Sequence, residues 1–154
     1  MLGTIGGKDR MEGTVISDAV NLASRIEGMT KMYGSALLIG EKTFFALEDP
    51  QRYSIRVADR VQVKGKTEPV TVFEVFDGDL PEQKEAKLST LGLFNEAMTL
   101  YALGSFKEAQ PFFQQCFSKN PKDKIAEIYV ERCHQATLTG GSPSWKGVTQ
   151  LHTK

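Results

Sequence analysis

Cysteine and histidine are scarce. The 154 residues include two cysteines, Cys116 and Cys133, and two histidines, His134 and His152. That count excludes a disulfide scaffold and a zinc ribbon. The neighbours Cys133 and His134 supply only half of a tetrahedral metal site. No apolar run approaches the roughly 18 residues of a membrane helix. The opening MLGTIGGKDR lacks the apolar stretch of a signal peptide. An excess of one charge is missing too, since 19 Lys+Arg offset 19 Asp+Glu. The balance holds locally, with 10 basic and 11 acidic groups in residues 1–78 and 9 and 8 in residues 79–154. Without a basic stripe, binding of nucleic acid or an anionic membrane loses its electrostatic drive. What is present, 40% hydrophobic and 25% charged residues, is the composition of a globular chain.

The chain divides by pattern. Residues 1–78 mix strand-like and helix-like stretches. From Ser17, a candidate N-cap, Ala19, Leu22, Ala23, Ile26 and Met29 recur at helical spacing and mark one apolar face. Asn21, Arg25 and Gly28 project from the other side. Gly34 ends that helix, Ser35–Ile39 reads as a buried strand, and Glu41–Leu47 as a short helix. In Tyr53–Val63 the valines 57, 61 and 63 share one parity while Arg56, Arg60 and Gln62 take the other, predicting a half-buried strand. A turn then leads to Val70–Phe76, completing a hairpin. Asp77–Pro81 is a breaker cluster and marks the boundary.

Residues 79–138 form a helical extension, with helical periodicity throughout 83–138 and no strand-like stretch. One helix is expected through Leu88, Leu91, Ala97, Leu100, Tyr101 and Leu103, a second over Phe106–Ser118 and a third over Lys122–Leu138. Thr90–Asp123 resembles a tetratricopeptide repeat of about 34 residues, with Ala97, Gly104, Phe106, Ala109, Phe113 and Pro121 in order. Pro111 is out of place inside a helix, where it predicts a kink. Residues 139–154 are rich in Gly, Ser and Pro and read as a disordered tail.

Two phosphate motifs fail. Gly65-Lys66-Thr67 imitates the end of a P-loop, but Arg60 stands where the first glycine is required and a strand follows. No GxGxxG is present. The informative stretch is Arg10–Arg25, which delivers Thr14 ahead of a helix bearing Asn21 and Arg25 one turn apart. An amide beside a guanidinium fork suits an anionic, phosphorylated ligand. A solvated helix face, with Arg25 paired to a carboxylate, accounts for the same spacing.

This stretch resembles the signature of class III nucleotidyl cyclases, and bacterial-type adenylate cyclases in particular. The family places a base-selecting residue seven positions before the asparagine of VNxAxR, here Thr14 and Val20-Asn21-Leu22-Ala23-Ser24-Arg25. Its downstream VKGK is matched by Val63-Lys64-Gly65-Lys66. The resemblance implies an α+β fold, the C-terminal half of a ferredoxin-like cyclase domain, followed by a small α-helical, TPR-like hairpin. It implies that Thr14 binds adenine, Asn21 positions the ribose, Arg25 stabilises charge on the α-phosphate and Lys64 grips the terminal phosphates. The reaction would be ATP to cyclic AMP and pyrophosphate. The family's Mg²⁺ or Mn²⁺ ligands are two aspartates upstream of the segment matched here, and Asp9 and Asp18 lie at positions the family does not use for metals. The chain is therefore expected to be a fragment, inactive alone, whose intact enzyme is a homodimer of cyclase domains. Its expected location is cytoplasmic, with membrane anchorage of the parent through an upstream region left open. A reading from another class makes residues 83–138 a non-catalytic interaction or regulatory module that docks a partner through Phe106, Phe112, Phe113 and Phe117.

Overall fold

The computed structural model describes residues 23–63, 68–141 and 144–151. Helix α1, described over residues 23–33, turns Ile26, Met29 and Tyr33 inward. Ala23, expected on that face, is exposed. Gly34 closes the helix at φ +61°, with its own N–H donating to the Lys31 carbonyl and the Ser35 N–H to that of Thr30. These two bonds satisfy helix-end carbonyls and require a left-handed residue between them. A side chain is excluded there for a second reason: a Cβ on Gly34 would lie 2.7 Å from the Lys124 Cβ.

Strand β1 (Leu38–Gly40) leads into α2 (Glu41–Ala46), a single 3₁₀ turn (Pro50–Arg52), and the hairpin β2 (Ile55–Val63) and β3 (Val70–Val75). The sheet order is β1-β3-β2-β4, antiparallel except for the β2–β4 pair. On its outer face, Phe44 of α2 stacks on Phe73 at 4.1 Å.

The parity expected of β2 holds over only part of the strand. Val57 pairs with Phe73 but Asp59 pairs with Val72, so Ala58 is an extra residue, a β-bulge. Before it, Arg56 points to the interior; beyond it, Asp59 and Val61 do. A one-residue insertion exchanges the faces of a strand. Arg56, expected on the polar face, is thus 3% exposed.

The helical half comprises α3 (Pro81–Ser89), α4 (Leu91–Ala102), α5 (Phe106–Lys119) and α6 (Lys124–Leu138). The expected single helix through Leu88 and Leu103 is two. Buried Thr90 (φ −102°, ψ 2°) separates them, and its hydroxyl bonds back to the Ala86 and Lys87 carbonyls. A hydroxyl that competes with the helix ladder favours such a break. α5 runs through Pro111, whose ring sits on the solvent side. Asp123 caps α6 by accepting from the Ala126 N–H.

One core joins both halves. Ile26, Tyr33, Ala58 and Val72 share it with Phe94, Phe113 and Tyr129. Phe113 stacks on Tyr129 at 4.9 Å, and the Tyr129 hydroxyl donates to the Ala58 carbonyl at 2.7 Å, satisfying the bulged backbone. Aromatic pairs of this kind add about 0.5–1.5 kcal/mol beyond their buried area. Phe106, Phe112 and Phe117 also pack against this core.

The last stretch, whose composition reads as a tail, returns across the molecule. Trp145 donates its indole N–H to the Tyr101 carbonyl at 3.0 Å, and β4 (Thr149–Leu151) pairs parallel to Val61–Val63. The β2 edge supplies unpaired backbone groups that composition does not reveal. Among the described residues no helix is long and apolar enough to cross a membrane.

Candidate functional site

Of the four residues the sequence singles out, Thr14, Asn21 and Lys64 lie outside the described residues. Arg25 lies within them, half-buried in α1 and one position before core residue Ile26. Strand β2 carries the chain to Val63, immediately before Lys64. Ile26 and Val61 belong to the same buried cluster. The helix bearing Arg25 and the strand leading to Lys64 are therefore anchored in one core.

Around this core lie two buried polar clusters that sequence reasoning did not anticipate. In the first, Arg56 donates from Nε to Glu74 at 2.7 Å and from Nη1 and Nη2 to Asp123 at 2.9 and 2.7 Å. Its guanidinium lies 4.3 Å from the Phe94 ring centre. Glu74 also accepts from Ser35 and, at 3.1 Å, from Lys87, which reaches Asp79 at 2.6 Å. Burial alone would push the Arg56 pKa down. The hydrogen bonds to Asp123 and the charges of Glu74 and Asp123 outweigh burial, so the group is held protonated.

In the second cluster, Asp59 accepts from the Tyr33 hydroxyl, from Arg132 Nη1 at 2.8 Å and from the Thr149 hydroxyl at 3.0 Å. Burial and the Asp59 charge drive the Tyr33 pKa up, so its hydroxyl stays a donor. Charge–dipole contacts of this kind are strong where water is excluded. The cross-strand pairing of Arg56 with Glu74 was the one available sequence signal, and it emerges only once the register is known.

These carboxylates are committed to cations and hydroxyls. Among the described residues no group of three or more His, Cys, Asp or Glu could hold a metal ion.

The same resemblance emerges from comparison with known proteins. The chain is 40% identical over 140 residues to "Adenylate cyclase, terminal-differentiation specific" of Dictyostelium discoideum, covering 90% of this chain and 7% of that protein. It is 49% identical over 76 residues to "Adenylate cyclase" of Anabaena cylindrica, covering 49% of this chain and 15% of that protein. A third relative, "Photoactivated adenylate cyclase subunit beta-like protein ST-" of Euglena gracilis, is 28% identical over 161 residues, 96% of this chain and 19% of that protein. No family model and no solved structure matches. The relatives are thus nucleotide cyclases by name. The chain is related to the class III adenylate cyclases and spans less than a fifth of each of these three. Alignments covering 90% and 96% of the chain take in both its strand-rich and its helical halves.

Proposed function

We propose that this chain supplies the nucleotide-positioning side of an adenylate cyclase site, converting ATP to cyclic AMP and pyrophosphate. The observation that carries the reading is the Val20–Arg25 signature, in a chain 40% identical over 90% of its length to a protein named adenylate cyclase. Thr14 hydrogen-bonds the adenine, and Asn21 orients the ribose so that its 3′-oxygen faces the α-phosphate. Arg25 stabilises the negative charge that grows on that phosphate as the leaving pyrophosphate departs. Lys64 holds the terminal phosphates. Such chemistry depends on positioning and preorganised charge. Arg25 suits the task because its position on α1 is set by core-anchored Ile26, and a guanidinium fork matches phosphate oxygens.

The complementary side belongs to a second cyclase domain, with which the intact enzyme forms a homodimer. Mg²⁺ or Mn²⁺ would be held by residues outside those described, and the isolated chain is inactive. The sheet with its flanking helices is the second half of a ferredoxin-like cyclase domain. α4–α6 are a TPR-like extension that acts as scaffold through the Arg56–Asp123 contact.

Complementation tests this reading. The full chain is mixed with a cyclase domain that retains its metal carboxylates but lacks the asparagine and arginine, and cyclic AMP is measured. Activity is expected from the mixture alone, and Arg25→Ala should reduce it by about 100- to 1000-fold. A mixture that Arg25→Ala leaves unchanged, or that forms no cyclic AMP, overturns the assignment.

A further inference from the structure

A groove of about 960 Å³ opens between the end of β2, α6 and the returning C-terminal segment. Its charged lining is Arg60, Arg132 and Lys146 against Glu131 alone. In a chain of zero net charge, that is a local positive excess. The three cations are not equivalent. Arg132 is fixed on buried Asp59 and on Thr149. Arg60 and Lys146 are exposed, and neither side chain makes an ion pair among the described residues. Glu131 accepts from the Gln135 amide at 2.9 Å. The amides of Gln135 and Gln150 and the indole of Trp145 complete the wall.

The chemistry of this lining is that of an anion site. An arginine and a lysine match phosphate oxygens, which accept several hydrogen bonds at once; the Gln135 and Gln150 amides beside them already donate to Glu131 and Gln62. The volume is in the range of small-molecule sites. Two further cavities lack this pattern. One is lined by Lys107 and Glu108 together, and another is walled largely by Phe44, Tyr53, Ile55 and Phe73.

We propose that this groove, whose lining does not include Arg25, binds a phosphate-bearing small molecule through Arg60 and Lys146. Its ligand bridges β2 and the C-terminal segment, because Arg60 belongs to the first and Lys146 to the second.

The molecule carries its own reporter: Trp145, on the groove wall, is the single tryptophan. The full chain is titrated with inorganic pyrophosphate at constant ionic strength while tryptophan fluorescence is followed, with adenosine and sulfate as parallel probes. A saturable change with pyrophosphate is expected, with at least a tenfold weaker midpoint in the Arg60→Ala, Lys146→Ala double variant. Both substitutions are at exposed positions, and an unchanged far-UV circular dichroism spectrum verifies folding. Asn21→Ala and Arg25→Ala are expected to leave the titration unaltered. The proposal is overturned by no saturable response, by a response to adenosine alone, by an equal response to sulfate, or by a midpoint that the double variant leaves in place. Loss of the response in Arg25→Ala or in Lys64→Ala, with the double variant unaffected, overturns it as well, and assigns the signal to the proposed catalytic set.

Discussion

Replacing Asp123 is the sharpest test of what joins the two halves. Its carboxylate is 1% exposed and receives both terminal nitrogens of Arg56 while capping α6. Removing one partner of a buried ion pair costs about 3–5 kcal/mol. The lower end applies here, because Glu74 remains on the Arg56 Nε and spares it complete isolation. Loss of the cap adds about 1 kcal/mol. Asp123→Ala should therefore cost about 4 kcal/mol and Asp123→Asn, which keeps a capping oxygen, about 3 kcal/mol. That is a large part of the total stability of an ordinary domain, about 5–15 kcal/mol. Urea unfolding, followed in parallel by far-UV circular dichroism and by Trp145 fluorescence, measures both. The same midpoint by both probes is expected, since the tryptophan and the sheet share one core. A loss below about 1 kcal/mol in Asp123→Ala would refute the reasoning, because the pair would then not depend on its burial.

Further outcomes follow from other features. Gly34→Ala should destabilise by about 1–2 kcal/mol from the left-handed backbone alone, and by more because the new Cβ meets Lys124 at 2.7 Å; an unchanged urea midpoint would contradict this. Burial pushes the Cys133 thiol up to about 12, and burial with the nearby Asp123 charge pushes Cys116 up to about 11. Both should resist a thiol reagent at pH 8 in the folded chain and react at once in urea. Because these pKa values lie above the unfolded value of about 8.5, their contribution to stability is complete below that pH and lost as pH rises towards 11–12. A urea midpoint that falls between pH 8 and 10.5, and falls less in a Cys116→Ala, Cys133→Ala variant, is expected; identical slopes in both proteins would exclude the thiols as the cause.

Local periodicity made several elements legible. The β2–β3 hairpin, the short helix Glu41–Ala46 and the ends of α5 and α6 follow from spacings within a few residues of one another. Features set by distant partners were not legible. The bulge at Ala58 leaves no mark on strand composition, yet it decides that Arg56 is interior. The break at Thr90 depends on one hydroxyl returning to the preceding turn. Residues Thr149–Leu151 become a strand only because β2 offers an open edge. Arg25 and its motif neighbours were singled out chiefly through the cyclase resemblance, since an asparagine and an arginine one turn apart suit an anionic ligand but also describe an ordinary solvated helix. The groove of Arg60 and Lys146 was invisible, its two cations lying 86 residues apart in sequence.

The buried arginine also bears on how such a chain can change over generations. Arg56 belongs to the strand-rich half and Asp123 to the helical half, yet each neutralises the other where water cannot. Exchanging the helical half for an unrelated one would leave both terminal nitrogens of the interior guanidinium without an acceptor and Glu74 as its remaining acid, so the halves are not freely interchangeable modules. Positions 56 and 123 are expected to mutate as a couple, a lost acid at one tolerated only alongside an uncharged side chain at the other. A library that randomises both positions and selects for folding would recover that covariation, and with it the record of two halves that have been inherited together.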